Sequence, residues 1–237
     1  MIPKLIHQTA KTAEIPEQER VYQARLRALH PDWTYKLWTD EDNAAFVKAE
    51  YPDFADVFFR LPKNIMRADV IRYLLLYRLG GLYLDTDYEM LKPFDLNQHP
   101  CVLPWESAGH HGPGKDRICN SIFASEPGHP FFKMVIDDLK AHPPLDEGLD
   151  VIEATGPVFF TKILQRLSDE QIRAMNIHLP PRPLFSPPTP RSQRQHDAIV
   201  NEGVAYGIHH CHGSWREFTV WQKLRNHLSH WAHQLAG

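Results

Sequence analysis

The sequence predicts an α/β protein, with a mixed, mostly parallel central sheet flanked by helices, in one domain spanning residues 1–237. Three observations predict it. From Ile65 to Leu79 apolar residues recur at helical spacing and end at Gly80-Gly81, where a helix takes a left-handed stop. Leu82-Tyr83-Leu84 follows directly, with the aromatic content of a short buried strand, and runs out on Asp85-Thr86-Asp87. Upstream, strand-like and helix-like segments alternate, the order from which parallel sheets are built.

In chain order, Lys4–His7 reads as a first buried strand. Glu17–Leu29 is an amphipathic helix with Val21, Leu26 and Leu29 as its apolar positions. Trp33–Trp38 alternates and is rich in β-formers, so it is a second strand. Thr39-Asp40 caps a helix through Val47, and Pro52-Asp53 opens another to Phe59. After the helix–strand unit, Tyr88–Leu91, Cys101–Leu103 and Ile118–Ala124 read as strands, with His110–Gly114 as a loop before the last. Phe131–Lys140 is a helix, and Ala154–Pro157 breaks into one that runs to Leu167. Pro180–Pro190 holds five prolines beyond the first and reads as an extended crossing loop. Val204–His209 is the final strand, and residues 215–234 the final helix.

Composition excludes several classes. At 43% hydrophobic residues the chain can bury a sizeable core, and a net charge of −3 supplies no basic field for nucleic acid. Three cysteines without framework spacing argue against a disulfide scaffold and fit a reducing compartment. The N-terminus has no signal-peptide h-region, and no apolar run approaches the ~20 residues that span a bilayer. The expectation is a cytoplasmic protein. Trp221, Leu224, Leu228 and Trp231, edged by Lys223 and Arg225, form a stripe that reads first as a docked helix. Its second reading is a peripheral contact with the inner membrane.

Asp85 and Asp87, one residue apart where a strand ends, suit a hard divalent cation, which commonly carries a phosphate ester. An isolated Asp-x-Asp is more often a capped turn. Here the preceding Gly-Gly and strand, and the polar face formed by Asp69 and Arg72 on the helix before it, favour a site. His209-His210-Cys211-His212 is a second cluster. It lacks the paired spacing of a structural zinc motif. Neighbouring strand residues point to opposite faces, so one of His209 and His210 enters a shared site, and imidazole suits Mn²⁺ better than Mg²⁺. His7-Gln8 and Trp38 end the first two strands, where sites in open α/β sheets form. Trp38 reads equally well as a base-stacking ring or as core.

Together these residues resemble the family 32 glycosyltransferases, the group with a DXD-containing sugar-binding region. The matching pieces are Ile2–Gln8, Trp38, Arg67-Ala68-Asp69 with Arg72-Tyr73, Gly80-Gly81 with Tyr83 and Asp85-Thr86-Asp87, and His209-His210 with Gly213-Ser214-Trp215. Asn120, the turn Glu126–Pro130 and Thr155-Gly156-Pro157 also fit. The resemblance implies a GT-A fold, a nucleotide-sugar donor, Mn²⁺ or Mg²⁺, and retention of anomeric configuration. It implies catalytic roles for Asp69, Arg72, Asp85 and Asp87: Asp69 on sugar hydroxyls, Arg72 on sugar or diphosphate, Asp85 on ribose, sugar and metal through water, Asp87 directly on metal. His7, Gln8, Trp38, Tyr73, Gly81 and Trp215 join Asp69, Arg72 and Asp85 in the substrate-binding set. The related clostridial glucosylating toxins place a glutamate five residues before a donor-contacting Trp. That spacing from Trp215 selects His210 beside Asp85 and Asp87 as the metal ligand, while Cys211-His212 departs from the residues more usual there. The implied activity is hexosyl transfer from a UDP- or GDP-sugar to a saccharide or lipid-linked saccharide. The rival is a non-catalytic sugar-nucleotide or carbohydrate-binding module of the same fold. A metal-dependent phosphohydrolase is a third reading, for which two carboxylates are a thin set.

Overall fold

The computed structural model describes residues 1–94, 96, 98–106 and 116–213. Its first half is β1 (Leu5–Thr9), α1 (Glu17–Leu29), β2 (Thr34–Trp38), α2 (Asp40–Glu50), α3 (Pro52–Arg60), α4 (Asn64–Leu79), β3 (Gly81–Leu84) and β4 (Tyr88–Met90). The second half is β5 (Cys101–Val102), β6 (Ile122–Ser125), α5 (Pro130–Ala141), α6 (Val151–Ala154), α7 (Pro157–Leu164), α8 (Asp169–Ala174), β7 (Ile177–His178), α9 (Arg182–Phe185), α10 (Gln193–Glu202) and β8 (Gly207–His209).

The main sheet has the order β2-β1-β3-β6-β5-β7. β1 runs parallel to β2 and β3, and β5 to β7, whereas β6 is antiparallel to β3 and β5. β4 and β8 form a separate antiparallel ribbon. The central strands are buried on both faces, which is why Gly81–Leu84 reads as a continuous apolar run. Alternation sends Tyr83 and Phe123 into one core with α4, α5 and α7. It sends Leu82, Leu84, Ile122 and Ala124 into the other, with Leu26 of α1 and Tyr88 of β4. α4 is the central helix, buried from Asp69 to Leu76, so its sequence shows little amphipathic contrast.

Three local expectations change. Ile118 makes only an isolated bridge to Trp105, and the strand begins at Ile122. The intervening residues wrap the end of β3, where the Asp85 amide donates to the Ser121 carbonyl at 2.8 Å. The proline-rich Pro180–Pro190 segment contains α9, because proline is tolerated in a helix's first turn. Val21 is exposed, and Tyr22 takes its place on the buried face of α1. The expected helix 215–234, and with it the membrane reading, lies outside the described residues. Among the described residues no helix is long and apolar enough to cross a membrane.

Candidate functional site

The site is built at the carboxyl end of β3. Gly80 closes α4 with φ +66°, and Gly81 follows at φ +104°. A Cβ on Gly81 would lie 2.4 Å from the Leu5 carbonyl oxygen, so glycine lets β3 lie against β1 at this point. The strand then delivers Asp85 into the turn before β4. Its carboxylate accepts from the Tyr83 hydroxyl at 2.8 Å, and the Gln8 side-chain amide donates to its backbone carbonyl at 3.1 Å.

Below this turn lies a buried charged hub. The Arg72 guanidinium reaches Asp85 Oδ1 at 3.1 Å through Nη1 and Asp69 Oδ1 at 3.3 Å through Nη2. It also donates to the carbonyls of Ala68 and Asn120, and lies 4.9 Å from the centre of the Tyr83 ring. Asp69 is closed off. Asn120 Nδ2 donates to one of its oxygens at 3.0 Å and Thr155 Oγ1 to the other at 2.9 Å. Burial pushes the Asp69 carboxyl up to about 6, against the pull of Arg72. Asp69 and Arg72 thus lie beneath the turn with their polar atoms bonded inside the protein, and Arg72 contacts the carboxylate of Asp85.

Asp85, Asp87 and His209 form the open edge. His209 Nε2 lies 3.2 Å from Asp87 Oδ1 and 3.9 Å from Asp85 Oδ2, and the His212 amide donates to Asp87 Oδ2 at 2.8 Å. Burial raises the Asp85 carboxyl, with Arg72 opposing. Burial acts the same way on Asp87, but its bonds with His209 and His212 outweigh it and hold that carboxyl at about 2. For His209, burial disfavours the proton, yet Asp87 and the neighbouring Cys211 outweigh it and keep the imidazole protonated well above its usual range. The ligand atoms of the three residues all lie within 4.8 Å of one another. Two carboxylates and an imidazole fit a divalent ion, Mn²⁺ better than Mg²⁺.

The expected metal ligand His210 lies beyond the end of β8 on the other side of the ribbon, where Nε2 is 3.0 Å from Glu89, and the structure brings His209 beside the aspartates instead. Four residues of the expected substrate-binding set lie within the protein. His7 is fully buried, accepting from the Trp38 indole N–H at 3.0 Å and lying 2.9 Å from the Gly80 carbonyl. Gln8 is buried between Tyr35 and Asp85. Tyr73 is core, stacked on Phe160 and donating to the Thr155 carbonyl at 2.8 Å. Gly81 is enclosed by β1. Trp38 is buried against Phe46, with the Lys36 ammonium 3.5 Å from the centre of its ring. Trp215 lies outside the described residues. Asn120 and Thr155, matched earlier without a role, are the two residues that hold Asp69.

The model of the glycosyltransferase sugar-binding region containing the DXD motif matches residues 16–103. Mannosyl phosphorylinositol ceramide synthase CSH1 of Saccharomyces cerevisiae is 39% identical over 166 residues, covering 69% of this chain and 42% of its own. Inositol phosphoceramide mannosyltransferase 3 of Schizosaccharomyces pombe is 39% identical over 168 residues, covering 68% of this chain and 44% of its own. The chain thus spans less than half the length of these two curated relatives. Among solved structures, the glycosyltransferase PaToxG superimposes with a TM-score of 0.51 at 15% identity, over 87% of this chain and 89% of its own. That likeness supports the GT-A fold, with the mixed sheet described above. With Asp85 and Asp87 at the strand end and a sugar-binding region that matches in sequence, the chain belongs to the DXD-motif glycosyltransferase family.

Proposed function

We propose that this protein is a metal-dependent retaining glycosyltransferase that moves a hexose, with mannose as the first candidate, from a nucleotide-sugar to a saccharide or lipid-linked acceptor. The observation that carries the reading is the convergence of Asp85, Asp87 and His209 on one point at the end of β3. Relatives named as inositol phosphoceramide and initiation-specific α-1,6-mannosyltransferases support mannose and a lipid or saccharide acceptor.

Asp85, Asp87 and His209 would hold the divalent ion, which when bound neutralises the charge that builds on a departing diphosphate. The chain's own work is placement. Arg72 orients Asp85 through Oδ1, Tyr83 donates to the same oxygen, and Asp69 fixes Arg72 from below. Asp69 has both oxygens bonded inside the protein, so the sequestered carboxylate is not offered as a covalent nucleophile. That favours same-face displacement, with catalysis by positioning and charge neutralisation.

The test offers GDP-mannose, UDP-glucose and UDP-galactose with Mn²⁺ to the purified protein, with saccharide and inositol phosphoceramide acceptors. Mass spectrometry should show one added hexose on an acceptor, and NMR of the product should show the donor's anomeric configuration. A donor that binds while every acceptor mass stays unchanged would favour the binding-module reading.

A further inference from the structure

The four-residue His209–His212 run is divided between two places. His209 joins the aspartates, while His210 meets a second convergent set that the transfer reading does not use. Glu89 of β4 is buried, and its Oε2 lies 2.8 Å from His196 Nε2 on α10 and 3.0 Å from His210 Nε2. These three ligand atoms also lie within 4.8 Å of one another. They come from a strand, a helix and the end of another strand. Two imidazole nitrogens are aimed at one carboxylate oxygen.

We propose that Glu89, His196 and His210 form a second metal site that takes Zn²⁺, with its fourth position left to solvent. Two imidazoles and a carboxylate are a zinc set rather than a magnesium or calcium set. Ligand atoms on a tetrahedral zinc with bonds of roughly 2.0–2.1 Å stand about 3.3 Å apart. The two Glu89–imidazole contacts, at 2.8 and 3.0 Å, need to open by only a few tenths of an ångström. Each imidazole then coordinates through Nε2 and carries its proton on Nδ1.

The surroundings match that requirement. Asp197 Oδ1 and Gln193 Nε2 both lie 3.5 Å from His196 Nδ1, and a small shift of Asp197 would let its carboxylate orient a ligating imidazole. Arg25 of α1 binds the other oxygen of Glu89 at 2.9 Å and leaves Oε2 to the histidines. The Tyr22 ring stacks on His210 at 4.7 Å with planes 6° apart, fixing its orientation. The ion would tie α10 and the end of β8 to β4, the ribbon that also presents His209. The site stands apart from transfer activity, so either idea can fail alone.

The test is Zn²⁺ titration of the metal-stripped full chain by calorimetry, with Co²⁺ absorption as a geometric probe. Wild type and Asp87→Ala should both bind a zinc equivalent that His196→Ala binds about 100-fold more weakly or not at all. That equivalent should give tetrahedral Co²⁺ bands and a Zn²⁺-dependent rise in melting temperature, both missing from His196→Ala. Circular dichroism of the metal-free variants verifies the fold, and His196→Gln, which keeps a polar side chain on the helix, serves if alanine unfolds. Equal zinc stoichiometry and affinity in wild type and the His196 variants would overturn the proposal. So would loss of all zinc binding in Asp87→Ala, or no zinc binding by wild type.

Discussion

Lowering the pH should loosen the strand ends that carry the site, through His7. The Trp38 indole can only donate, so His7 Nδ1 must present a lone pair at 3.0 Å. His7 Nε2 therefore carries the proton and donates to the Gly80 carbonyl at 2.9 Å. A second proton would set two donors against each other inside a fully buried ring site. Burial, outweighing the Gly80 bond, lowers this imidazole from 6.5 to about 4. The sign follows from where protons go. Between those values the unfolded chain takes up a proton that the folded chain refuses, so stability is full above pH 6.5 and is lost as pH falls toward 4. The loss is about 3 kcal/mol when complete and about 2 kcal/mol at pH 5. Urea unfolding of wild type and His7→Gln at pH 7.5 and pH 5 measures it. Glutamine does not titrate and keeps a donor for Gly80. It strands the Trp38 N–H, so the variant should start about 1–3 kcal/mol less stable. Wild type should lose about 2 kcal/mol more than the variant on acidification, with other titrations cancelling in the difference. Equal losses would refute the tautomer assignment and the buried neutral ring.

Other expectations concern the site itself. Arg72→Lys keeps a charge but cannot bridge Asp69, Asp85 and two carbonyls; it should lower stability by about 2 kcal/mol and turnover at least ~10-fold. An unchanged melting temperature and turnover would remove Arg72 from its bridging role. Asp87→Asn should abolish transfer with the fold intact, as EDTA should in wild type, and NMR should show the His209 imidazole falling back toward its ordinary range. Full turnover in excess EDTA would rule out the cation. Gly81→Ala forces a side chain into the Leu5 carbonyl at positive φ and should cost about 3 kcal/mol or more, read by denaturant unfolding. A variant as stable as wild type would show that β1 and β3 can separate there.

The helices and strands of the first half were legible because each carries its own local signal. Glu17–Leu29 has the same bounds in sequence and structure, and Thr39 with Asp42 forms a reciprocal cap. The later half was less legible for identifiable reasons. α8, capped by Ser168, is too short for a period to register, and α10, capped by Ser192, buries none of its residues fully. β7 has two residues, too few for alternation to register. The burial of Asp69 is hidden for another reason. An open carboxylate and one bonded by Asn120 and Thr155 look alike in sequence until the loops that cover them are placed.

The placement of His209, not His210, beside the aspartates shows which quantity the sequence lacks. Alternation alone states that the two histidines part company, but not which goes where. The phase comes from pairing β8 with β4, which sets Tyr88 opposite His209 and Glu89 opposite Ile208. Residues two apart share a face, so His210 follows Ile208 to the side of Glu89. His209 remains with Tyr88 and reaches back to the turn that holds Asp85 and Asp87. A spacing counted from Trp215 carries no such information, because it measures distance along one strand's exit and not the partner across the ladder. The same register explains why one short histidine run supplies two separate three-residue sets, one at the end of β3 and one between the ribbon and α10.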